Sequence, residues 1–166
     1  GTNENLAWTF TSGVADFVDA FILKLDPQNP ERYWYKGTWR TLEKRTETIR
    51  VKGGAPVELT VYRSVYGPVV AVDARNAVAV SLKLSYWNNE LEAFQAYYGF
   101  LTARTVAEFE RAASHIPASF NAFCATRTGD IAYFYCGRAP IRADGVDPRL
   151  PALGTGEYDW KGIMPF

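Results

Sequence analysis

The sequence predicts an α+β fold in which antiparallel strands dominate. Three observations carry that reading. Short β-prone runs separated by Gly, Pro and Asn clusters fill the first half. Two stretches of helical period follow Trp87. A hairpin pattern and a long loop close the chain. Strands and helices are segregated rather than alternating, which argues against a parallel βαβ sheet.

The elements follow in order. Leu6 to Thr11 and Val18 to Leu25 are β-prone runs, and Asp26-Pro27-Gln28-Asn29-Pro30 is a turn cluster. Tyr33 to Tyr35 and Trp39 to Leu42 are strands joined at Lys36-Gly37. Glu47 to Val51 and Val57 to Tyr62 alternate apolar and polar side chains around Gly53-Gly54, predicting a hairpin with one wet face. Val69 to Val72 and Ala77 to Leu84 flank a turn at Ala74-Arg75-Asn76. Leu91, Phe94, Tyr97 and Tyr98 recur at helical spacing. A second helix is expected over Val106 to Ser114. Thr105 and Glu108 have the spacing of a capping box, and Phe109, Ala112 and Ala113 form its apolar stripe. Ser119 to Ala125 and Ile131 to Tyr135 form a hairpin about Arg127-Thr128-Gly129-Asp130.

Asp147 to Phe166 has neither period. Its prolines, glycines and aromatics read as an ordered loop that must lean on something, and part of that support is expected to lie outside the chain.

The 166 residues, 48% of them hydrophobic, suit a single domain over 1–166 with a real core. Eighteen basic residues balance eighteen acidic ones, so no net field marks the chain for nucleic acid or an acidic membrane. No apolar run approaches the roughly 20 residues of a membrane helix. Gly1 reads as a processing or cloning boundary, with any address signal outside the chain.

Residue patterns alone name no chemistry. Cys124 and Cys136 sit on facing runs, with Cys124 expected opposite residue 133 or 134. The two sulfurs are then out of register, and both read as small buried apolar residues. His115, the only histidine, follows the second helix, where it suits a helix terminus better than a catalytic triad. Asp16 and Asp19 are close enough in sequence to share a hard cation, although two solvated carboxylates would look the same. Trp34, Tyr35 and Trp39 read as hairpin packing, since no basic groove accompanies them.

The order of motifs goes further. Gly1 to Phe21 (GTNENLAWTFTSGVADFVDAF), Arg32 to Gly54 (RYWYKGTWRTLEKRTETIRVKGG), Thr60 to Asp73 (TVYRSVYGPVVAVD) and Gly129 to Phe166 together resemble the penicillin acylase (penicillin amidase) family of N-terminal nucleophile hydrolases. The resemblance spans essentially the whole chain, with Tyr66 where histidine is common. It implies an internal piece of the β chain within the N-terminal nucleophile hydrolase fold. The activity implied is hydrolysis of linear amides, such as N-acyl side chains of β-lactam antibiotics or related N-acyl compounds, by an N-terminal serine. That serine is expected upstream of Gly1 and the oxyanion Asn downstream of Phe166, leaving this piece inactive alone.

The resemblance assigns Ser12, where Ala is frequent, as the backbone N–H donor of the oxyanion hole. It assigns Phe10, Tyr97 and Phe120 to the acyl pocket, with Phe10 where a small polar residue is often found. It implies a structural Ca2+ held by Asp16, the carbonyl of Val18, Asp19 and the carbonyl of Pro148. The partners it implies are a small N-acyl amide and the remaining α and β chains, and the location periplasmic or secreted. An unpaired strand edge gives such a piece reason to self-associate. The alternative is a non-catalytic β-rich binding or interaction domain related to the acylases. Trp8, Phe10 and Phe120 well covered within the chain would favour it, and their exposure would favour the fragment.

Overall fold

The computed structural model describes all 166 residues, Gly1–Phe166. Strands β1 (Leu6–Ser12), β2 (Val18–Asp26), β3 (Asn29–Tyr35), β4 (Thr38–Thr41), β5 (Glu43–Ile49), β6 (Val57–Arg63), β7 (Val69–Asp73) and β8 (Val78–Leu84) come first. Helices α1 (Glu92–Thr102) and α2 (Val106–Ala113) follow. The chain ends through β9 (Phe120–Thr126), β10 (Ile131–Cys136) and the short strands β11 (Pro140–Ile141), β12 (Ala152–Leu153) and β13 (Gly162–Ile163). The architecture is α+β, with antiparallel pairing throughout except between β12 and β2.

The chain divides into two compact units. The first comprises Gly1–Phe17, Ser85–Ile141 and Lys161–Phe166. Its sheet has the order β1-β9-β10, and β11 pairs separately with β13. The alternating inward residues of the three-stranded sheet, among them Leu6, Ala122, Cys124 and Cys136, meet Phe100, Phe109, Ala112 and Ala113 of the two helices in one buried cluster. Gly99 is required there: a Cβ on it would stand 2.6 Å from the Ala112 Cβ, so its hydrogen sets how closely the helices approach.

The predicted cap of α2 is present. Thr105 Oγ1 accepts from the Glu108 N–H at 3.2 Å, and Glu108 Oε2 accepts from the Arg104 N–H at 2.7 Å. Its buried face is the expected Phe109, Ala112 and Ala113. On α1 the helical spacing of Leu91, Phe94, Tyr97 and Tyr98 marks a stripe that faces out; the buried residues are Ala96 and Phe100. The inward side is the one where Phe100 meets Phe109 of α2, their ring centroids 4.6 Å apart.

The second unit comprises Val18–Leu84 and Arg142–Trp160. Its main sheet has the order β4-β3-β2-β8-β7, with β12 alongside β2. Phe21, Leu23, Leu25, Tyr33, Tyr35, Leu42, Tyr66 and Ala79 form its core. β3 starts at Asn29, inside the predicted turn cluster, because only Pro27 and Gln28 make the turn and Pro30 sits near a strand start where a missing N–H is tolerated. The β3–β4 hairpin turns on Lys36 and Gly37, both left-handed at φ 47° and 80°, the conformation of a tight two-residue turn.

β5 pairs with β6 alone. The hairpin expected to have one wet face has two open faces: Ile49, Val57, Leu59 and Val61 remain 43% to 51% exposed.

Candidate active site

In the first unit the end of β1 gathers the residues that the resemblance singles out for chemistry. Ser12 lies opposite Phe120 in the β1–β9 register. Around it, backbone-to-backbone bonds toward β9 come from odd-numbered residues of β1 and its flanks. Gly13 N–H donates to the Ser119 carbonyl at 3.0 Å, and Asn5 O accepts from Arg127 N–H at 2.7 Å. Antiparallel pairing alternates, so the N–H of Ser12 points away from β9. β1 is an edge strand of this sheet, so that N–H stands on the sheet's outer edge. On the same edge, Trp8 N–H donates to the Gly1 carbonyl at 2.8 Å and the Gly1 amine donates to the Trp8 carbonyl at 2.7 Å.

Aromatic rings crowd the inward side of this strand end. Phe10 lies 5.2 Å from Phe100 and 6.4 Å from Phe120, centroid to centroid. Tyr97 reaches the same Phe100 at 6.4 Å. The structure therefore brings Phe10 and Phe120 together directly and joins Tyr97 to them through Phe100. Phe10, Phe120 and Trp8 are half-buried, and Tyr97 is exposed. Phe100 escapes sequence reasoning because it reads as one more apolar residue of α1. Its signal is position: it lies three residues beyond Tyr97, one turn along the helix.

Cys124 lies opposite Ala132 rather than residue 133 or 134, the hairpin being one residue tighter than its sequence suggests. Both thiols are free and buried, and burial pushes the Cys136 thiol up to about 11. His115 is exposed behind α2, away from these aromatic rings in its own surface depression with Arg104, Glu108 and Arg111.

The residues matched to calcium divide between the units. Asp16 belongs to the first unit and is exposed. Val18, Asp19 and Pro148 belong to the second. Asp19 shares the inward face of β2 with Phe21, Leu23 and Leu25, and only 6% of it is exposed. A bare carboxylate there would be costly. Arg142 Nε lies 3.1 and 2.9 Å from its two oxygens, and the Trp160 indole N–H donates to Oδ2 at 2.5 Å. Lys83, opposite Asp19 in register, holds its ammonium 4.5 Å over the Trp160 ring. Burial lowers the Lys83 pKa, with Asp159 and Asp19 opposing that shift.

Asp19, already bonded to Arg142 and Trp160, is one carboxylate toward the six to eight oxygens that Ca2+ takes.

A second carboxylate organises the same unit. Asp159 accepts from Tyr35 OH at 2.7 Å and Tyr66 OH at 2.8 Å, and pairs with Lys36 Nζ at 2.8 Å. Desolvation raises its pKa, but the bonds from Lys36, Tyr35 and Tyr66 together bring it below the ordinary value. Tyr66 stacks on Phe21 with centroids 3.9 Å apart, and desolvation followed by the bond to Asp159 pushes its phenol far up. Part of the closing loop finds its support within the chain, while its Leu150, Leu153, Met164 and Phe166 stay 52% to 65% exposed. Asp159 and Trp160 anchor it, Gly154 N–H donates to the Ile22 carbonyl at 2.8 Å, and β12 adds a parallel pair with β2.

Comparison with known proteins bears on the reading of both clusters. The family model described as penicillin amidase matches residues 1–166. The chain belongs to the penicillin amidase family. It is 34% identical to penicillin G acylase of Escherichia coli over 166 residues, all of this chain and 20% of that protein. It is 29% identical to the acyl-homoserine lactone acylase QuiP of Pseudomonas fluorescens, over 98% of this chain and 20% of that protein. A solved structure of the thermostable penicillin G acylase from Alcaligenes faecalis in orthorhombic form superposes with a TM-score of 0.95 at 38% identity, covering the whole chain and 30% of that one. The chain thus spans about a fifth of the length of these curated relatives.

Proposed function

We propose that this penicillin amidase chain supplies the oxyanion donor and one wall of the acyl pocket to a larger amidohydrolase that cleaves linear N-acyl amides. The observation that carries the reading is the Ser12 N–H, turned to the outer edge of β1 beside Phe10 and Phe120. In this reading the nucleophile is an N-terminal Ser outside the chain. Its hydroxyl oxygen attacks the acyl carbon while its own α-amine takes the hydroxyl proton. The carbonyl oxygen becomes an oxyanion and accepts from the Ser12 N–H and from an Asn side chain outside this chain. The proton passes to the leaving nitrogen as the C–N bond breaks, giving an acyl-serine ester and a free amine. Water then attacks the ester and gives its proton to the same amine, which passes it to the departing Ser oxygen as the ester bond breaks, releasing the carboxylic acid and restoring free Ser.

Phe10, Phe120 and Tyr97 receive the acyl side chain, which favours an apolar or aromatic group. A phenylalanine at position 10 narrows that pocket. Calcium belongs to the reading as a structural ion: Asp19 and the carbonyls of Val18 and Pro148 supply part of its shell, and no step runs through it.

Hydrolysis of phenylacetyl and long-chain acyl anilides, measured on the parent protein and on this chain alone, tests the reading. The parent is expected to turn over, to lose activity when its N-terminal Ser becomes Ala, and the isolated chain to do nothing. Turnover by the isolated chain would overturn the location of the nucleophile.

A further inference from the structure

The outer face of the β1-β9-β10 sheet carries a hydrogen-bonded array that packing does not require. Tyr133 OH donates to Asn121 Oδ1 at 2.7 Å. Asn121 Nδ2 in turn donates to the Ser12 carbonyl at 2.9 Å and to Thr11 Oγ1 at 3.0 Å. One rung along, Ser119 Oγ donates to the Gly13 carbonyl at 2.9 Å and accepts from the Ala15 N–H at 3.2 Å. Tyr135 OH lies 3.1 Å from Ser119 Oγ and 3.3 Å from the Gly13 carbonyl. Two hydroxyls of β10 thus act through Asn121 of β9 and Ser119 just before it on two successive carbonyls, of Ser12 and Gly13, where β1 ends. Gly13 is built for this approach, since a Cβ on it would stand 2.4 Å from Ser119 Oγ.

Edge strands fray, and an oxyanion donor must be aimed before the charge develops. The Ser12 N–H has no second strand to hold it. Its peptide plane lies between two anchored points, Thr11 Oγ1 and the Ser12 carbonyl, both held by Asn121. We propose that Asn121, fixed by Tyr133, is a positioning residue that aims the Ser12 N–H at the oxyanion, with the Ser119–Tyr135 pair fixing the next peptide. The inference rests on the acylase reading above.

The test uses the parent acylase with Asn121→Ala and, more mildly, Tyr133→Phe. Rates are normalised to titrated active sites, so that a misfolded fraction drops out. Asn121→Ala is expected to lower kcat about 10- to 100-fold, somewhat less than outright loss of a donor, with KM changed less than about threefold. Affinity for a boronic acid carrying the same acyl group, a tetrahedral mimic, falls by the kcat factor, while affinity for the carboxylic acid product holds. Tyr133→Phe shifts both in the same direction by a smaller factor. An active parent whose Asn121→Ala variant keeps its kcat overturns the clamp alone. A kcat loss matched by loss of product affinity reduces the array to a structural role and overturns it too. A parent that hydrolyses no acyl amide overturns the acylase reading, and the clamp with it.

Discussion

Trp160 donates its indole N–H to Oδ2 of Asp19 at 2.5 Å, across 141 residues of sequence. Arg142 holds the same carboxylate from 123 residues away. Together they let a charge sit on the inward face of β2. Replacing Arg142 with Met leaves that carboxylate without its cation and is expected to destabilise the chain by about 3–5 kcal/mol. Trp160→Phe removes one bond to a charged group and should cost about 1.5–3 kcal/mol. Denaturant unfolding of the two variants checks both the sizes and their order.

Asp159 and Tyr66 predict how stability depends on pH. The folded pKa of Asp159 is depressed despite desolvation, through Lys36, Tyr35 and Tyr66, so its contribution is present above the unfolded value of about 4 and is lost as pH falls through the folded one. The Tyr66 pKa is raised by desolvation and by Asp159, so the opposite sign holds. Its contribution is complete below about pH 10 and declines as the unfolded chain begins to ionise above that value. Tyr66→Phe should flatten the alkaline limb of a stability–pH curve, and Asp159→Asn the acid limb.

Gly99→Ala separates helix propensity from packing. Alanine favours a helix interior by up to about 1 kcal/mol over glycine. The new Cβ would lie 2.6 Å from that of Ala112, and overpacking of this kind costs about 1–3 kcal/mol. Net destabilisation is expected in thermal unfolding, with partial recovery when Ala112→Gly is added.

The orientation of α1 is checked by a pair of substitutions one turn and a half apart. Phe94 is 70% exposed and Phe100 only 1%. Phe94→Glu should change stability by no more than about 0.5 kcal/mol, while Phe100→Ala should cost about 3–5 kcal/mol. Comparable losses at the two positions would contradict the helix face described above.

Cys124 and Cys136 are buried in the core of the first unit, and burial raises both thiols. A thiolate-directed reagent at neutral pH is expected to find neither in the native chain and both after denaturation. A thiol that reacts at once would show that β9 and β10 open readily.

Much of the fold was legible because it is local. The cap of α2 needs only Thr105 and Glu108, three residues apart. The turn at Lys36-Gly37 needs two residues that tolerate positive φ. Alternation along β2 even puts Asp19 on the face of Phe21 and Leu23, a signal the sequence holds and that inspection for cation ligands passes over. The outward stripe of α1 was legible as a helix but not as a face. Periodicity says which residues share a side, and only the close approach of Gly99 to Ala112 decides which side is inside.

The sequence by itself determined the α+β order of elements and, through motifs spread along all of it, the penicillin amidase family. The tertiary structure alone decided what those motifs touch. Arg142 and Trp160 meet Asp19, Tyr35 and Tyr66 converge on Asp159, and Tyr133 steadies Asn121 beside Ser12. Such contacts join residues as much as 141 apart, and nothing in local spacing encodes them. They exist because sheet register brings distant residues together, and at Asp19 and Asp159 because polar groups taken out of water must find partners.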